Sequence, residues 1–284
     1  MVFDQGVIFG TGKLALDCAQ ILNEKGLPFR IYDTNDCPSK VFARQAAGKG
    51  YLYFDVPYKR AVEETDSLSG RVLLVSAINP RILPTRLLEK PGLLAVNCHQ
   101  ALLPAHPGRN AEMWAIFEED IQTGITWHTA VEEVDAGEIL IQKAFPLTEA
   151  DTAYTVFRRQ MEAAREGFAE IAEDLLNGTL SGRRQQGRGR LRYSWEVPED
   201  CLLDPAWPGH KISAFLRAVD YRGLAVLKKT PRILWEGREL SWKSYTITAS
   251  GNDAELAMRD GCLIIKKDGY YIELKGLQKQ QSGR

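Results

Sequence analysis

The sequence predicts an α/β chain: a mostly parallel sheet with flanking helices, followed by a smaller, mainly β domain. Three observations carry this. Short apolar runs alternate with segments of helical period through the first half. A glycine turn joins the first run to the first helix. Closely spaced short runs separated by Asp-Gly pairs fill the last quarter.

Taken in order, Gly6-Val7-Ile8-Phe9 reads as a buried strand and Gly10-Thr11-Gly12 as a tight turn. Leu14, Cys18, Ile21 and Leu22 then recur at helical spacing until Gly26. Phe29-Arg30-Ile31-Tyr32, closed by Asp33, is the next strand, and this strand–helix–strand opening is Rossmann-like. Val72 to Ser76 is a near-continuous apolar strand, as a sheet covered on both faces requires. Leu93 to His99 is another. A helix is expected from Asn110, a good N-cap residue, through Trp114 and Phe117. Two strands, Thr123–Glu132 and Glu138–Lys143, precede a long helix capped by Asp151 and stopped at Asn177-Gly178, with Met161, Ala164, Phe168, Ile171 and Leu175 on one face.

The glycine- and arginine-rich run Ser181 to Arg190 reads as a linker. Beyond it come a helix over Gly209–Val219 and strands at Ile233–Trp235, Leu240–Thr248, Ala254–Met258, Cys262–Lys266 and Tyr270–Leu274, with Asp260-Gly261 and Asp268-Gly269 as turns. The domain division that follows is 1–180, a linker over 181–208, and a barrel-like β domain over 209–284.

Composition narrows the partners. At 284 residues the chain can hold one or two domains with a substantial core. A formal net charge of −1 gives no general drive toward nucleic acid or anionic membrane, and no apolar run is long enough to span a bilayer. The N-terminus carries no signal-like segment. Five dispersed cysteines (Cys18, Cys37, Cys98, Cys201, Cys262) without Cys-x-x-Cys spacing point to reduced thiols in a cytoplasmic protein, not to disulfides or a metal site.

The chemistry concentrates at Asn97-Cys98-His99 and Asp135. Asn97 and His99 end an apolar strand two residues apart, so both project from one face. Asp135 sits in the turn-like stretch Glu132–Gly137. An amide can stabilise a developing oxyanion, an imidazole can exchange a proton, and a carboxylate can orient and charge the imidazole. These are parts for moving an acyl group onto an amine. A carboxylate beside the ring is expected to raise the imidazole pKa. Taken singly, an Asn or His at a strand end is more often structural, and Asp135 more often a turn residue.

The glycine loop admits a second reading. Gly10-Thr11-Gly12-Lys13-Leu14-Ala15 fits G-x-G-x-x-A between a strand and a helix, with Asp33 at the next strand end. On that reading the chain is an NAD(P)-binding oxidoreductase.

Asn97-x-His99, the loop Ala101-Leu102-Leu103-Pro104 leading to Gly108, Thr123-Gly124-Ile125-Thr126-Trp127-His128 and Asp135-Ala136-Gly137 fall in order. Together they resemble the catalytic domain of folate-dependent formyltransferases, the family of glycinamide ribonucleotide, methionyl-tRNA, sugar-nucleotide and siderophore-precursor formyltransferases. The resemblance is closest over residues 72–143 and extends through 1–178. It implies transfer of the formyl group of N10-formyltetrahydrofolate to an amine, without a metal. Asn97 and a protonated His99 would hold the oxyanion, and Asp135 would support the imidazole. Folate would lie between Ile78–Leu83 and Ala130–Asp135, with Ile78, Ile82, Leu83, Leu103, Val131 and Val134 as walls. Gly10, Thr11, Gly12 and Lys13 would form an acceptor-side anion site, with Asn110 a further substrate-binding candidate.

Two positions depart from the family pattern. Ala101 replaces the usual serine, and Pro107 stands where many relatives carry arginine, so the acceptor can differ from theirs. The resemblance is nearer to sugar-nucleotide, siderophore-type and methionyl-tRNA enzymes than to deformylases, which usually carry an N-terminal regulatory domain; this chain opens at its first strand. Residues Thr34–Tyr51 hold only Lys40, Arg44 and Lys49, without the dense basic insertion that clamps tRNA. The expected acceptor is therefore a small-molecule amine: an amino sugar nucleotide, a hydroxyornithine-like compound or a carrier-bound aminoacyl group. The basic run Arg183–Arg192 keeps tRNA as the alternative. His128 reads as a half-buried strand residue, His106 as an uncommitted loop residue and His210 as a surface residue. Tyr221, Trp195, Trp207 and Trp235 read as packing residues.

Overall fold

A computed structural model describes residues 1–35, 38–251 and 253–279; Cys37 lies outside the described residues. The strands of the main sheet are β1 (Gln5–Gly10), β2 (Phe29–Asp33), β3 (Leu52–Phe54), β4 (Val72–Ala77), β5 (Leu93–His99), β6 (Gln122–Thr129) and β7 (Ile139–Pro146). Helices α1 (Gly12–Glu24), α2 (Lys40–Gly48), α3 (Tyr58–Asp66), α4 (Thr85–Leu88), α5 (Ala111–Phe117) and α6 (Ala153–Asn177) alternate with them. The seven strands lie in the order β3-β2-β1-β4-β5-β6-β7. β1 to β5 are parallel, and β6 runs antiparallel to β5.

Period-two alternation explains why both faces are covered. On β1, Ile8 faces one apolar cluster with α1 and α6, while Val7 and Phe9 face another with α3 and α4. The first cluster is centred on Trp127 of β6 and Phe168 of α6, whose ring centroids lie 4.9 Å apart. The buried Trp127 Nε1–H donates to the Ala164 carbonyl at 2.9 Å, so the indole is packed without an orphaned donor.

The expected helix stops hold: Gly26 and Gly178 both take positive φ just past α1 and α6. The caps differ in detail. Asn110 precedes α5 with φ 55° and makes no side-chain capping bond. At α6, the Thr155 N–H donates to Thr152 Oγ1, while Asp151 accepts from the Thr148 N–H and hydroxyl instead of capping the helix itself.

The chain divides into two compact units, Met1–Gly108 with Gly124–Phe145 and Arg158–Leu191, and Arg109–Thr123 with Pro146–Phe157 and the chain from Arg192 onward. This corrects the single cut near residue 180. The glycine- and arginine-rich stretch stays with the first unit as far as Leu191. α5 joins the second unit because it packs on α7 (Gly209–Ala218), where Phe117 meets Phe215 edge-on at 6.4 Å. The second unit adds β8 (Leu202–Leu203), β9 (Arg232–Trp235), β10 (Arg238–Ser241), β11 (Ser244–Ala249), β12 (Glu255–Arg259), β13 (Cys262–Lys267), β14 (Tyr270–Lys275) and β15 (Gln278–Lys279). They form two four-stranded sheets, β15-β10-β9-β8 and β11-β14-β13-β12. Pairing is antiparallel except between β8 and β9. Trp207 and Tyr221 are packed as expected, but Trp195 is 63% exposed and stacks on Tyr193 at 4.7 Å.

Truncating Phe168 to Ala removes half of the Trp127–Phe168 contact at the centre of the larger cluster. The expected cost is about 3–5 kcal/mol, read as a lowered urea midpoint with an unchanged slope.

Candidate functional site

β5 supplies the first two groups. Val96 and Cys98 point into the core, so Asn97 and His99 share the opposite face. The reversal at β6 supplies a third: in register, Asn97 lies opposite His128, and His99 opposite Thr126. The β6–β7 connection supplies Asp135, held at φ 54°, a conformation that Asp tolerates better than most residues. Two residues on, the chain passes so close to β6 that a Cβ at Gly137 would stand 1.6 Å from the Thr129 carbonyl oxygen.

These four side chains meet. His99 Nδ1 lies 3.3 Å from Asp135 Oδ2, and His128 Nε2 lies 3.5 Å from Asp135 Oδ1. His128 Nε2 is also 3.1 Å from Asn97 Nδ2. His128 Nδ1 is 2.8 Å from the Thr129 carbonyl, which can only accept, so Nδ1 carries the proton. In the neutral ring Nε2 then accepts from the Asn97 amide, which fixes that amide's orientation and leaves its second N–H available. By the same reasoning His99 Nε2 donates to the His106 carbonyl at 2.8 Å. The Gly108 N–H donates to Asp135 Oδ2 at 2.7 Å. The residues around His106 are thus tied to the site through backbone groups.

Burial opposes ionisation of Asp135, but the charge of His99, the His128 imidazole and the Gly108 N–H outweigh it and hold the carboxyl at about 2. For His99 the expected rise is reversed. Burial lowers its pKa below the ordinary imidazole value, against the opposing pull of Asp135 and the His106 carbonyl. The site at neutral pH therefore pairs an ionised carboxylate with a ring disposed to give up its charge. A proton arriving there is taken up at Nδ1, between ring and carboxylate.

The supporting shell is built from one threonine and two glutamines. The Thr126 hydroxyl donates to the Ala101 carbonyl and accepts from the Leu103 N–H, at 2.7 and 3.0 Å. Gln142 Nε2 donates to the Leu103 carbonyl at 2.8 Å. Gln160, buried on α6, donates to the Gln100 carbonyl at 2.6 Å. The loop after His99 is therefore held at three successive carbonyl positions, where Ala101 offers no hydroxyl of its own.

A cavity of about 510 Å³ opens on this site, within the usual range for small-molecule pockets. Val131, Val134, Pro104, Pro107 and Leu191 give it apolar walls, and Asp135, Gln185 and Arg188 give it polar ones. Of the expected wall residues, Val131 and Val134 line it. Leu103 and Leu83 are buried beside other elements, Ile82 is 72% exposed, and Ile78 takes φ 56°; these four stand outside its lining.

The glycine loop is explained without a ligand. A Cβ at Gly10 would lie 1.9 Å from the Ala77 carbonyl oxygen, so the close approach of β1 and β4 already requires glycine there. Thr11 makes no side-chain cap, Gly12 takes φ 73°, and Lys13 turns to Asp17 at 2.6 Å. Asp33, the acid of a dinucleotide fingerprint, is occupied: the Tyr53 hydroxyl and the Asn35 N–H both donate to it. Asn110 belongs to the second unit, where its carbonyl receives the Met113 and Trp114 N–H groups. His210 is an exposed residue of α7 paired with Glu119 at 2.7 Å.

Residues 34–171 match the family model described as Formyl transferase. The chain carries a formyl transferase domain. Asn97, His99, His128 and Asp135 all fall inside it, and the glycine loop falls outside. The chain is 33% identical over 147 residues to the GDP-perosamine N-formyltransferase of Brucella melitensis, a match covering 52% of this chain and 56% of that protein. It is 28% identical over 200 residues to the methionyl-tRNA formyltransferase of Listeria welshimeri, covering 68% and 64%. The chain thus spans less than two thirds of either relative's length. Its fold is that of the N-formyltransferase from Helicobacter canadensis, with a TM-score of 0.76 at 17% identity over 97% of this chain and 99% of that one. It is also that of a 4-N formyltransferase from Francisella tularensis, with a TM-score of 0.70 at 18% identity over 84% and 96%.

The charge state of Asp135 has a consequence for stability. Its folded pKa of about 2 lies below the ordinary carboxylate value, so the stabilisation is present at neutral pH and is lost as pH falls from about 4 to 2. Asp135→Asn abolishes that part of the acid dependence. The stability difference between wild type and variant, on the order of 2 kcal/mol from this linkage, shrinks across the same window in denaturant melts recorded at stepped pH.

Proposed function

We propose that this chain is an N-formyltransferase that moves the formyl group of N10-formyltetrahydrofolate onto the amine of a nucleotide-linked amino sugar. The observation that carries the reading is the convergence of Asn97, His99, His128 and Asp135 at the mouth of one cavity inside the formyl transferase domain. The cavity's volume and apolar walls suit a flat heteroaromatic donor, and the donor supplies the one-carbon unit. The relatives named for sugar substrates support an amino sugar as acceptor.

The side chains divide the work of the reaction. The free N–H of Asn97 is oriented by His128 to meet the oxygen that gains charge as the acceptor nitrogen bonds to the formyl carbon. The acceptor amine must lose one proton, and His99 Nδ1 with Asp135 can take it, because burial keeps the ring neutral and the carboxylate stabilises the imidazolium that results. Passed to the departing nitrogen as the old carbon–nitrogen bond breaks, that proton closes the balance. This differs from a ring protonated from the outset: His99 serves first as a base. The cavity walls hold the two reactants side by side, which supplies much of the remaining acceleration.

Asn97→Ala and His99→Ala are each expected to lower kcat on the order of 10²–10³-fold while the far-UV circular dichroism spectrum is retained. The measurement is formyl transfer to a panel of amines, including amino sugar nucleotides and initiator tRNA, followed by mass spectrometry for the gain of one formyl group. Product with the tRNA and none with the sugars overturns the acceptor assignment. Wild-type turnover in purified His99→Ala overturns the site.

A further inference from the structure

The stretch after α6 does more than connect. Arg183 pairs with Ile139 of β7 through reciprocal backbone hydrogen bonds of 2.8 Å, and the Gly189 N–H donates to the Pro104 carbonyl at 2.9 Å. A Cβ at Gly189 would stand 2.3 Å from that same oxygen, so the chain lies flush against the loop that follows His99. Between these two anchors, Gln185 reaches the Asp135 loop. Its side-chain Nε2 donates to the Asp135 carbonyl at 2.7 Å and to the Gly137 carbonyl at 2.8 Å. An amide nitrogen has two hydrogens, and both are spent on this loop.

The loop has little else to hold its shape. Thr129 and Glu138 close its base through two bonds of 2.9 Å, and a longer 3.2 Å bond runs from the Ala136 N–H to the Glu133 carbonyl. Its functional residue sits at a positive φ that an unconstrained Asp leaves readily. Arg188 also pairs with Glu133, but both side chains are exposed, and such a pair contributes little.

We propose, resting on the N-formyltransferase reading, that Gln185 is a positioning residue: its bidentate hold on the Asp135 and Gly137 carbonyls aims the Asp135 carboxylate at His99 and His128. Gln185 lies 50 residues from Asp135 in sequence and contacts neither imidazole. Its action runs entirely through the backbone of the loop. Asp135 Oδ2 in turn receives the Gly108 N–H, and Pro104 of the same loop receives Gly189. The strap, the Asp135 loop and the loop after His99 therefore form a closed ring of contacts around the site. Residue type matters at this position. Glutamate is nearly isosteric but turns two acceptors toward two carbonyl oxygens, alanine leaves both carbonyls unheld, and asparagine keeps the donors on a shorter arm.

The test compares Gln185→Glu, Gln185→Ala and Gln185→Asn with the neighbouring exposed Gln186→Ala as control. Three readouts are taken: kcat and KM for formyl transfer, the thermal midpoint, and the ¹⁵N resonance of His99 Nδ1, which reports the contact with Asp135. Gln185→Glu and Gln185→Ala are expected to lose between about tenfold and 10²-fold in kcat with KM little changed, as a small misplacement of a reacting group produces. Gln185→Asn recovers part of the loss and Gln186→Ala shows none. The His99 Nδ1 resonance shifts in the first two variants while that of His210 stays. Wild-type kcat with an unmoved His99 resonance in Gln185→Glu overturns the proposal. So does a lowered thermal midpoint with reduced kcat and an unmoved resonance, which marks a merely structural role. The resonance needs no turnover. If the wild-type protein formylates no amine but the His99 signal still moves, the hold on Asp135 stands and the proposed reaction falls.

Discussion

A carboxylate withdrawn from water must be compensated by charge and hydrogen bonds, and the compensation of Asp135 organises this protein's first unit. Two imidazoles and one backbone N–H face its oxygens, and together they outweigh the cost of burial. Each partner comes from a different segment: β5, β6 and the loop after His99. Meeting all three at once requires β6 to run against β5, the Asp135 loop to fold back over the strand ends, and the loop after His99 to turn in. The same charge that costs free energy to bury is what makes a neutral His99 a usable proton acceptor.

That arrangement sits where the sheet changes character. From β3 to β5 the strands are parallel and read as continuous apolar runs, because helices cover both faces. At β6 the direction reverses, and a cross-strand pair, Asn97 with His128, replaces the strand–helix crossover. The reversal gives the site a second strand end within hydrogen-bond reach. The glycine loop at the other switch in strand order, between β1 and β4, is accounted for by close packing alone, and the acid beside it is already satisfied by Tyr53 and Asn35. A nicotinamide ribose would have to displace both, so the fingerprint there describes a strand–helix turn and not a cofactor site.

Much of the site was legible in the chain because it is local. Asn97 and His99 share a face by the two-residue period of a strand, and the packed Val96 and Cys98 follow from the same rule. Asp135 was marked by its turn-like surroundings and by the order of motifs around it. His128 read as a structural strand residue, since its place opposite Asn97 depends on a register that no single strand specifies. The direction of the His99 pKa was misread for a related reason: a neighbouring carboxylate can be inferred from motif order, whereas the extent of burial comes from α6, the loop after His99 and the sheet closing together.

The sequence by itself determined the strand–helix alternation, the helix stops at Gly26 and Gly178, and the identities of the amide, imidazole and carboxylate, because these rest on side-chain period and backbone preference within a few residues. Tertiary structure alone decided which groups touch. It turned a glycine- and arginine-rich stretch into a strap holding Asp135 through Gln185, sent α5 to the second unit and left Trp195 in solvent. Those outcomes depend on contacts between residues 50 or more positions apart, such as Gln185 with Asp135 and Tyr221 with Glu112. Local pattern carries no information about such pairs, since they form only when whole elements pack.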